Sequence, residues 1–223
     1  MSLSPRLESI ASLVKEGSSI ADIGSDHGAL PIFLIKTKKI KKALAVENKI
    51  GPFSRLKKEV EKADEQGNIE LSLSSGISYL PSYVDSVVIS GMGGGLTARI
   101  LKEGQKNLGN VIFIIVEPQG EKEETLEALF ALGYHPVKEI CLYEGEHYYE
   151  SFLFSKGKVT TPELKCLRLG TLGELQGEES YIRHTKEESL RLKAIMEENA
   201  LPNDIKARYQ ADIKEMDKIL NEH

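Results

Sequence analysis

Acids and glycines at the ends of short apolar runs are the parts of this chain suited to chemistry. Residues 19–23 form one such run, carrying Asp22, and pass into Gly24-Ser25-Asp26-His27-Gly28 before the apolar stretch 29–35. A short strand, a glycine-bearing turn and a helix let the backbone approach a nucleotide-like ligand at the carboxyl end of the strand. Glu47, with Asn48 beside it, closes a second apolar run nineteen residues after Gly28. An acid at that spacing is placed to accept hydrogen bonds from ribose hydroxyls.

The turn reads Gly24-x-x-x-Gly28, with Asp26 where nucleotide folds usually carry a middle glycine. A carboxylate beside a pyrophosphate is unfavourable, because like charges repel. A cationic cofactor fits better, and S-adenosylmethionine carries both an amino group and a sulfonium. That favours a methyltransferase over a dehydrogenase. A tight strand-to-helix turn without a ligand also accounts for the glycines; Glu47 is what tells against it.

A second glycine cluster, Gly91-Met92-Gly93-Gly94-Gly95, follows the apolar run 86–90. Several glycines after a buried strand are costly in chain entropy, so the pattern predicts a loop whose backbone comes close to a ligand. Met92 is suited to lie against an adenine face as a soft apolar contact. The alternative is a loop without a role.

The elements that must position these residues follow from periodicity. Ser4-Pro5 opens a first helix as N-cap and first helical residue. The pattern predicts strands at 20–23, 43–47, 69–73, 86–90 and 111–117, helices at 52–63, 96–101 and 121–132, and an antiparallel hairpin of 136–143 with 148–154. Strands alternating with helices and finished by a hairpin make a seven-stranded, mostly parallel α/β sheet of the Rossmann-like class I methyltransferase type. After Lys158 the chain turns charged. Thr161-Pro162-Glu163 reads as a helix start, and apolar stripes at Leu190, Ala194 and Ile195, and at Ile205, Tyr209, Ile213, Met216 and Leu220, predict a C-terminal α-helical, coiled-coil-like hairpin. Two units are expected, 1–158 and 159–223.

Of the 223 residues, 40% are hydrophobic and 28% charged, ordinary proportions for a soluble protein. No stretch is apolar enough for a membrane span, and the start has no secretory pattern, so a cytoplasmic address is expected. Cys141 and Cys166 have no metal-ligand spacing, and no metal is expected. The net charge of −5 gives no global attraction to nucleic acid, so RNA binding must rest on a local basic face. The run 36–42 is the densest in lysine, but it joins a helix to an edge strand away from the site and reads as a solvated turn. Arg183, Lys186, Arg191 and Lys193, with Arg55 and Arg99, are better placed, although the many neighbouring glutamates also fit a salt-bridged solvent face.

Three segments carry a family resemblance over nearly the whole chain: Arg6-Leu7 with Ile10-Ala11-Ser12, the run from Ala21 to Gly28, and Ser90-Gly91-Met92-Gly93-Gly94. With Glu47 and the Gly51-Pro52 that follows it, they resemble the bacterial tRNA adenine-22 N1-methyltransferases. The resemblance implies S-adenosylmethionine as cofactor, tRNA as partner, and a hairpin that docks the tRNA. It implies cofactor contacts from Asp22, Gly24, Ser25, Asp26, His27, Gly28, Glu47, Asn48, Ser75, Gly76, Gly91, Met92 and Gly93. Substrate contacts are expected from Arg6, Pro118, Gln119 and Tyr148. Two departures stand out. Ser75 occupies the position before Gly76 where the family has aspartate, and Glu117-Pro118-Gln119 replaces Gln-Pro-Asn.

Methylating N1 of adenine needs no strong base, since the nitrogen already has a lone pair; the demand is alignment and desolvation. A nearby carboxylate would stabilise the developing cation or take a proton from the exocyclic amine. Asp26 is the first candidate and Glu117 the second; a turn-stabilising aspartate and a strand-end charge are the structural alternatives. His27 fits a cofactor contact or a packed histidine. Two other functions remain open: methyl transfer to another RNA or a small molecule, and a non-catalytic RNA-binding protein on the same fold.

Overall fold

The computed structural model describes residues 2–157, 169, 175, 178–198 and 201–222. Helix α1 (Pro5–Leu13) starts where Ser4 accepts a hydrogen bond from the Leu7 amide, with proline in the first turn. The strands are β1 (Ser19–Ile23), β2 (Lys42–Glu47), β3 (Ile69–Leu73), β4 (Ser86–Gly93), β5 (Phe113–Gln119), β6 (Tyr134–Glu144) and β7 (His147–Lys156). Helices α2 (Ala29–Lys36), α3 (Ile50–Ala63), α4 (Gly94–Glu103) and α5 (Lys122–Ala131) connect them. The seven strands lie in the order β3-β2-β1-β4-β5-β7-β6, and β7 runs antiparallel to both neighbours. This is the Rossmann-like methyltransferase sheet expected from the alternation.

Both faces of the sheet are covered, which is why its central strands are apolar throughout. On one face Ile20, Ala43, Ala45, Val88 and Ile115 pack with Ile10, Leu34 and Leu56 of α1, α2 and α3. On the other Ala21, Leu44, Val87, Ile89 and Ile114 pack with Leu101 of α4 and Leu126 and Leu129 of α5. The strand order reverses between β1 and β4, so the turns leaving these strands splay apart and open a crevice at their carboxyl ends.

The second glycine cluster differs from the loop expected of it. Strand β4 continues through Gly93, and Gly94 and Gly95 are already in the first turn of α4. The reason is β5, which runs on to Gln119: after a register shift at Gly91, Met92 pairs with Pro118 and Gly93 with Gln119. Gly94 then packs so tightly under the Glu121 carbonyl that a β-carbon would overlap it.

Helices α6 (Glu179–Glu198) and α7 (Asn203–Glu222) form the expected antiparallel hairpin, with Tyr181 beside Ile219 and Leu192 beside Met216. Its buried stripe on α6 is not the one expected. Leu190 is 59% exposed and Ala194 is exposed, whereas Tyr181, Thr185, Ser189 and Leu192 are buried. Hydroxyls serve on this face because each finds an acceptor: Thr185 bonds the Tyr181 carbonyl and Ser189 bonds Asp217. On α7 the buried residues are Asp212, Met216 and Ile219, while Ile205 is exposed. The expected helix start at Thr161-Pro162-Glu163, the unit boundary at 158/159 and Cys166 lie outside the described residues.

The lysine run does more than solvate a turn. Lys39 donates to the carbonyls of Ala11 and Ser12 at the end of α1, and Lys42 sits 4.6 Å from the Tyr83 ring centre.

Candidate active site

The turn after β1 is built by hydrogen bonds to β2. The amides of Gly24 and Ser25 both donate to the Val46 carbonyl, at 2.9 and 3.0 Å. Gly24 adopts φ +80°, a backbone conformation that favours glycine, and a β-carbon on it would also require the terminal methyl of Met92 to move. Asp22 is buried beneath the turn and accepts from the Ser25 hydroxyl at 2.6 Å. Burial pushes its pKa up to about 6, against the opposing Ser25 hydrogen bond. Gly28 caps α2 in the left-handed region.

Glu47 is buried at the end of β2, and its Oε1 accepts from the amides of Asn48 and Lys49 at 2.9 and 3.1 Å. One oxygen thus pins the turn, and the Val46 carbonyl just before it holds the glycine turn of β1 alongside. Asn48 is exposed next to it. Ser75 is exposed in the segment after β3, and Gly76 packs on Ile100.

Asp26 and His27 point outward. Both are about half exposed, Asp26 accepts from Arg55 of α3 at 3.3 Å, and His27 lies 3.4 Å from it. The Asp26 backbone takes the left-handed conformation, φ +43°, an uncommon one for a residue with a β-carbon.

Glu117 is the opposite case. It is 1% exposed at the end of β5, and its Oε2 accepts from Arg6 Nη1 at 2.6 Å and from the Gly91 amide at 3.1 Å. Its Oε1 is buried without a partner. Burial raises its pKa above the usual carboxylate range, with Arg6 and the Gly91 amide acting the other way. Arg6 is held in turn 5.5 Å from the ring centre of Tyr149. Gly91 takes φ +71°, and a β-carbon there would stand 3.5 Å from Arg6 Nη1.

Beyond these residues a cleft of about 770 Å³ separates the ends of β5 and β7 from α6 and α7. Pro118, Gln119 and Tyr149 line one wall, and His184, Arg191 and Arg208 the other. Tyr148, expected as a substrate contact, also lines this cleft, and its ring stacks on His184 at 3.7 Å, nearly parallel. Burial lowers the pKa of His184, favouring the neutral ring. The basic residues here are mostly paired. Arg208 reaches Glu123 at 2.6 Å, Arg191 reaches Glu188 at 2.5 Å, Lys193 reaches Asp217 at 2.8 Å, Arg183 reaches Glu187 at 2.8 Å, and Lys122 pairs with Glu150. Lys186 and Arg99 are exposed.

The crevice therefore gathers Asp22, Gly24, Glu47, Gly91, Met92 and Glu117 at the carboxyl ends of four adjacent strands. The Arg6–Glu117 pair spans 111 positions and joins α1 to β5, which no local pattern announces. Tyr149 and His184 were equally hidden: alternation says only that one of two adjacent tyrosines faces each way.

The comparisons agree with this geometry. Residues 3–152 match the family described as "Methyltransferase domain". The tRNA (adenine(22)-N(1))-methyltransferase of Bacillus subtilis (strain 168) is 32% identical over 158 residues, 70% of this chain and 66% of that protein. The Streptococcus pneumoniae protein Sp1610, solved with S-adenosyl-L-methionine, is 30% identical, with a TM-score of 0.87 over 98% of this chain and all of that one. The M. capricolum protein TrmK, solved with S-adenosyl-homocysteine, is 28% identical with a TM-score of 0.85, covering 98% of each chain. The chain belongs to the methyltransferase-domain family, and within it to the tRNA adenine-22 N1-methyltransferases.

Proposed function

We propose that this protein transfers a methyl group from S-adenosylmethionine to N1 of adenine 22 in tRNA. The observation that carries this reading is the convergence, at the β1/β4 switch, of a glycine turn, a buried ribose-type acid and a buried carboxylate, in a chain alike along its length to proteins solved with this cofactor and its product. The residues fit the group. Gly24 lets the backbone come close, Glu47 is fixed by two amides, and Met92 covers the turn as a soft apolar surface. Asp22 braces the turn through Ser25.

When bound, the cofactor supplies an electrophilic methyl group on a sulfonium. The chain's own work is placement. The crevice walls exclude water and align the adenine lone pair, and positioning supplies most of the acceleration. A carboxylate near the base then stabilises the positive charge that N1 methylation leaves. Glu117, buried beside Gly91 and Met92, supports that role better than Asp26, which faces Arg55 and solvent.

The tRNA reaches the site across the cleft between the sheet and the hairpin. Arg191, Arg208 and Lys122 reach phosphates there by exchanging their present acidic partners, and Tyr149 is better placed than Tyr148 to meet a base. A tRNA substrate puts the work in the cytoplasm, and among the described residues no helix is long and apolar enough to cross a membrane. The described residues hold no cluster of metal-ligating side chains, and the chemistry needs none. Labelled S-adenosylmethionine tests the reading: label should enter a tRNA transcript with adenine at position 22 and stay out of one with guanine there.

A further inference from the structure

Glu117 is an ion-paired carboxylate only half of which is used. Oε2 takes both Arg6 and the Gly91 amide, while Oε1 is buried and unpartnered. Leaving a buried acceptor without a donor costs on the order of 1–3 kcal/mol, and more for a charged one. Such a group persists where something outside the chain supplies the donor. Glu117 is 1% exposed and does not itself line the cleft, so a base reaches Oε1 only past the neighbours that do. Pro118 and Gln119, next along the strand, line the cleft, as does Tyr149, the ring that carries Arg6.

We infer that Oε1 of Glu117 accepts an N–H of the target adenine's exocyclic amino group, and that Arg6 holds this carboxylate charged and aimed, making the pair the reader of adenine. This rests on the methyl-transfer reading above. Adenine presents an amino donor beside N1, whereas guanine presents a carbonyl oxygen there, which a carboxylate repels. Arg6 is a positioning residue acting through Glu117. The charged groups acting on Glu117 are Arg6 from α1 and Glu144 from β6. Without Arg6, burial and Glu144 act together, and the carboxyl takes up its proton at higher pH.

The test compares kcat/KM on two tRNA transcripts that differ only at position 22, one with adenosine and one with purine ribonucleoside, which lacks the amino group. The comparison between enzymes cancels any intrinsic difference between the bases. The native enzyme should favour adenosine over purine about 10- to 100-fold more than Glu117→Ala does, the range expected of a hydrogen bond to a charged group. Arg6→Gln should shift the acid limb of the pH profile upward, and Arg6→Lys should restore it. If Glu117→Ala does not fold, the near-isosteric Glu117→Gln serves, and its acid limb should vanish. An unchanged base preference in Glu117→Ala, or an acid limb that persists in Glu117→Gln or stays in place in Arg6→Gln, overturns the inference. A native enzyme that methylates neither transcript overturns the reading beneath it instead.

Discussion

The terminal methyl of Met92 fills the space that a β-carbon on Gly24 would occupy, so the turns leaving β1 and β4 are packed against each other. The contact joins two glycine segments that lie far apart in sequence. Gly24→Ala meets both this overlap and a left-handed backbone, φ +80°. It should lower stability by about 1–2 kcal/mol and weaken cofactor affinity at least tenfold. Adding Met92→Ala relieves the overlap but not the backbone strain, so thermal denaturation should show only partial recovery.

Glu47→Ala should weaken S-adenosylmethionine binding by about 10- to 100-fold, the effect of losing charge-assisted hydrogen bonds to ribose. Calorimetric titration checks it, with circular dichroism showing that the fold persists. Glu47→Gln keeps an acceptor for the Asn48 and Lys49 amides and should fall between the two. Unchanged affinity in Glu47→Ala removes this residue from the site.

Asp22 makes stability depend on pH. Its folded pKa, about 6, lies above the unfolded value near 3.9, so between these the folded state binds more protons. Stability is therefore fullest below the unfolded pKa and falls as pH rises through the folded one, by about 2–3 kcal/mol. Asp22→Asn should abolish that part of the profile, which chemical denaturation at pH 4, 5, 6 and 7 measures.

The hairpin is attached through particular contacts, and these separate the two binding functions. His184 stacks on Tyr148, and Arg208 pairs with Glu123. Replacing His184 and Arg208 together by alanine should lower methylation of tRNA severalfold while leaving the dissociation constant for S-adenosylmethionine within twofold. Equal loss of both would show that the hairpin supports the cofactor site itself.

Much of this arrangement is legible in the sequence. The limits of β3 at 69–73 fall where alternation and flanking polar residues place them, and the turn from Asp22 to Gly28 announces itself through its glycines and the apolar runs on either side. The rest depended on partners distant in sequence. The glycines after Ser90 look like a loop until β5 is seen to extend to Gln119 and pair with them. The buried stripe of α6 includes Thr185 and Ser189, which hydropathy counts as outward, because their hydroxyls are satisfied by the Tyr181 carbonyl and Asp217. Tyr148 lines the cleft, but that its ring would also stack on His184 of the hairpin has no local signal. Glu117 could be picked as an acid at a strand end; that Arg6 holds one of its oxygens, and that the other is orphaned, could not.

The central claim is methyl transfer to N1 of one adenine in tRNA. The most direct measurement is to incubate the full chain with labelled S-adenosylmethionine and unmodified tRNA, then locate the modified nucleotide by nuclease digestion and mass spectrometry. Label in N1-methyladenine at position 22 alone is the predicted result. Label at another position or on another base, or cofactor binding with no transfer to tRNA, would contradict it.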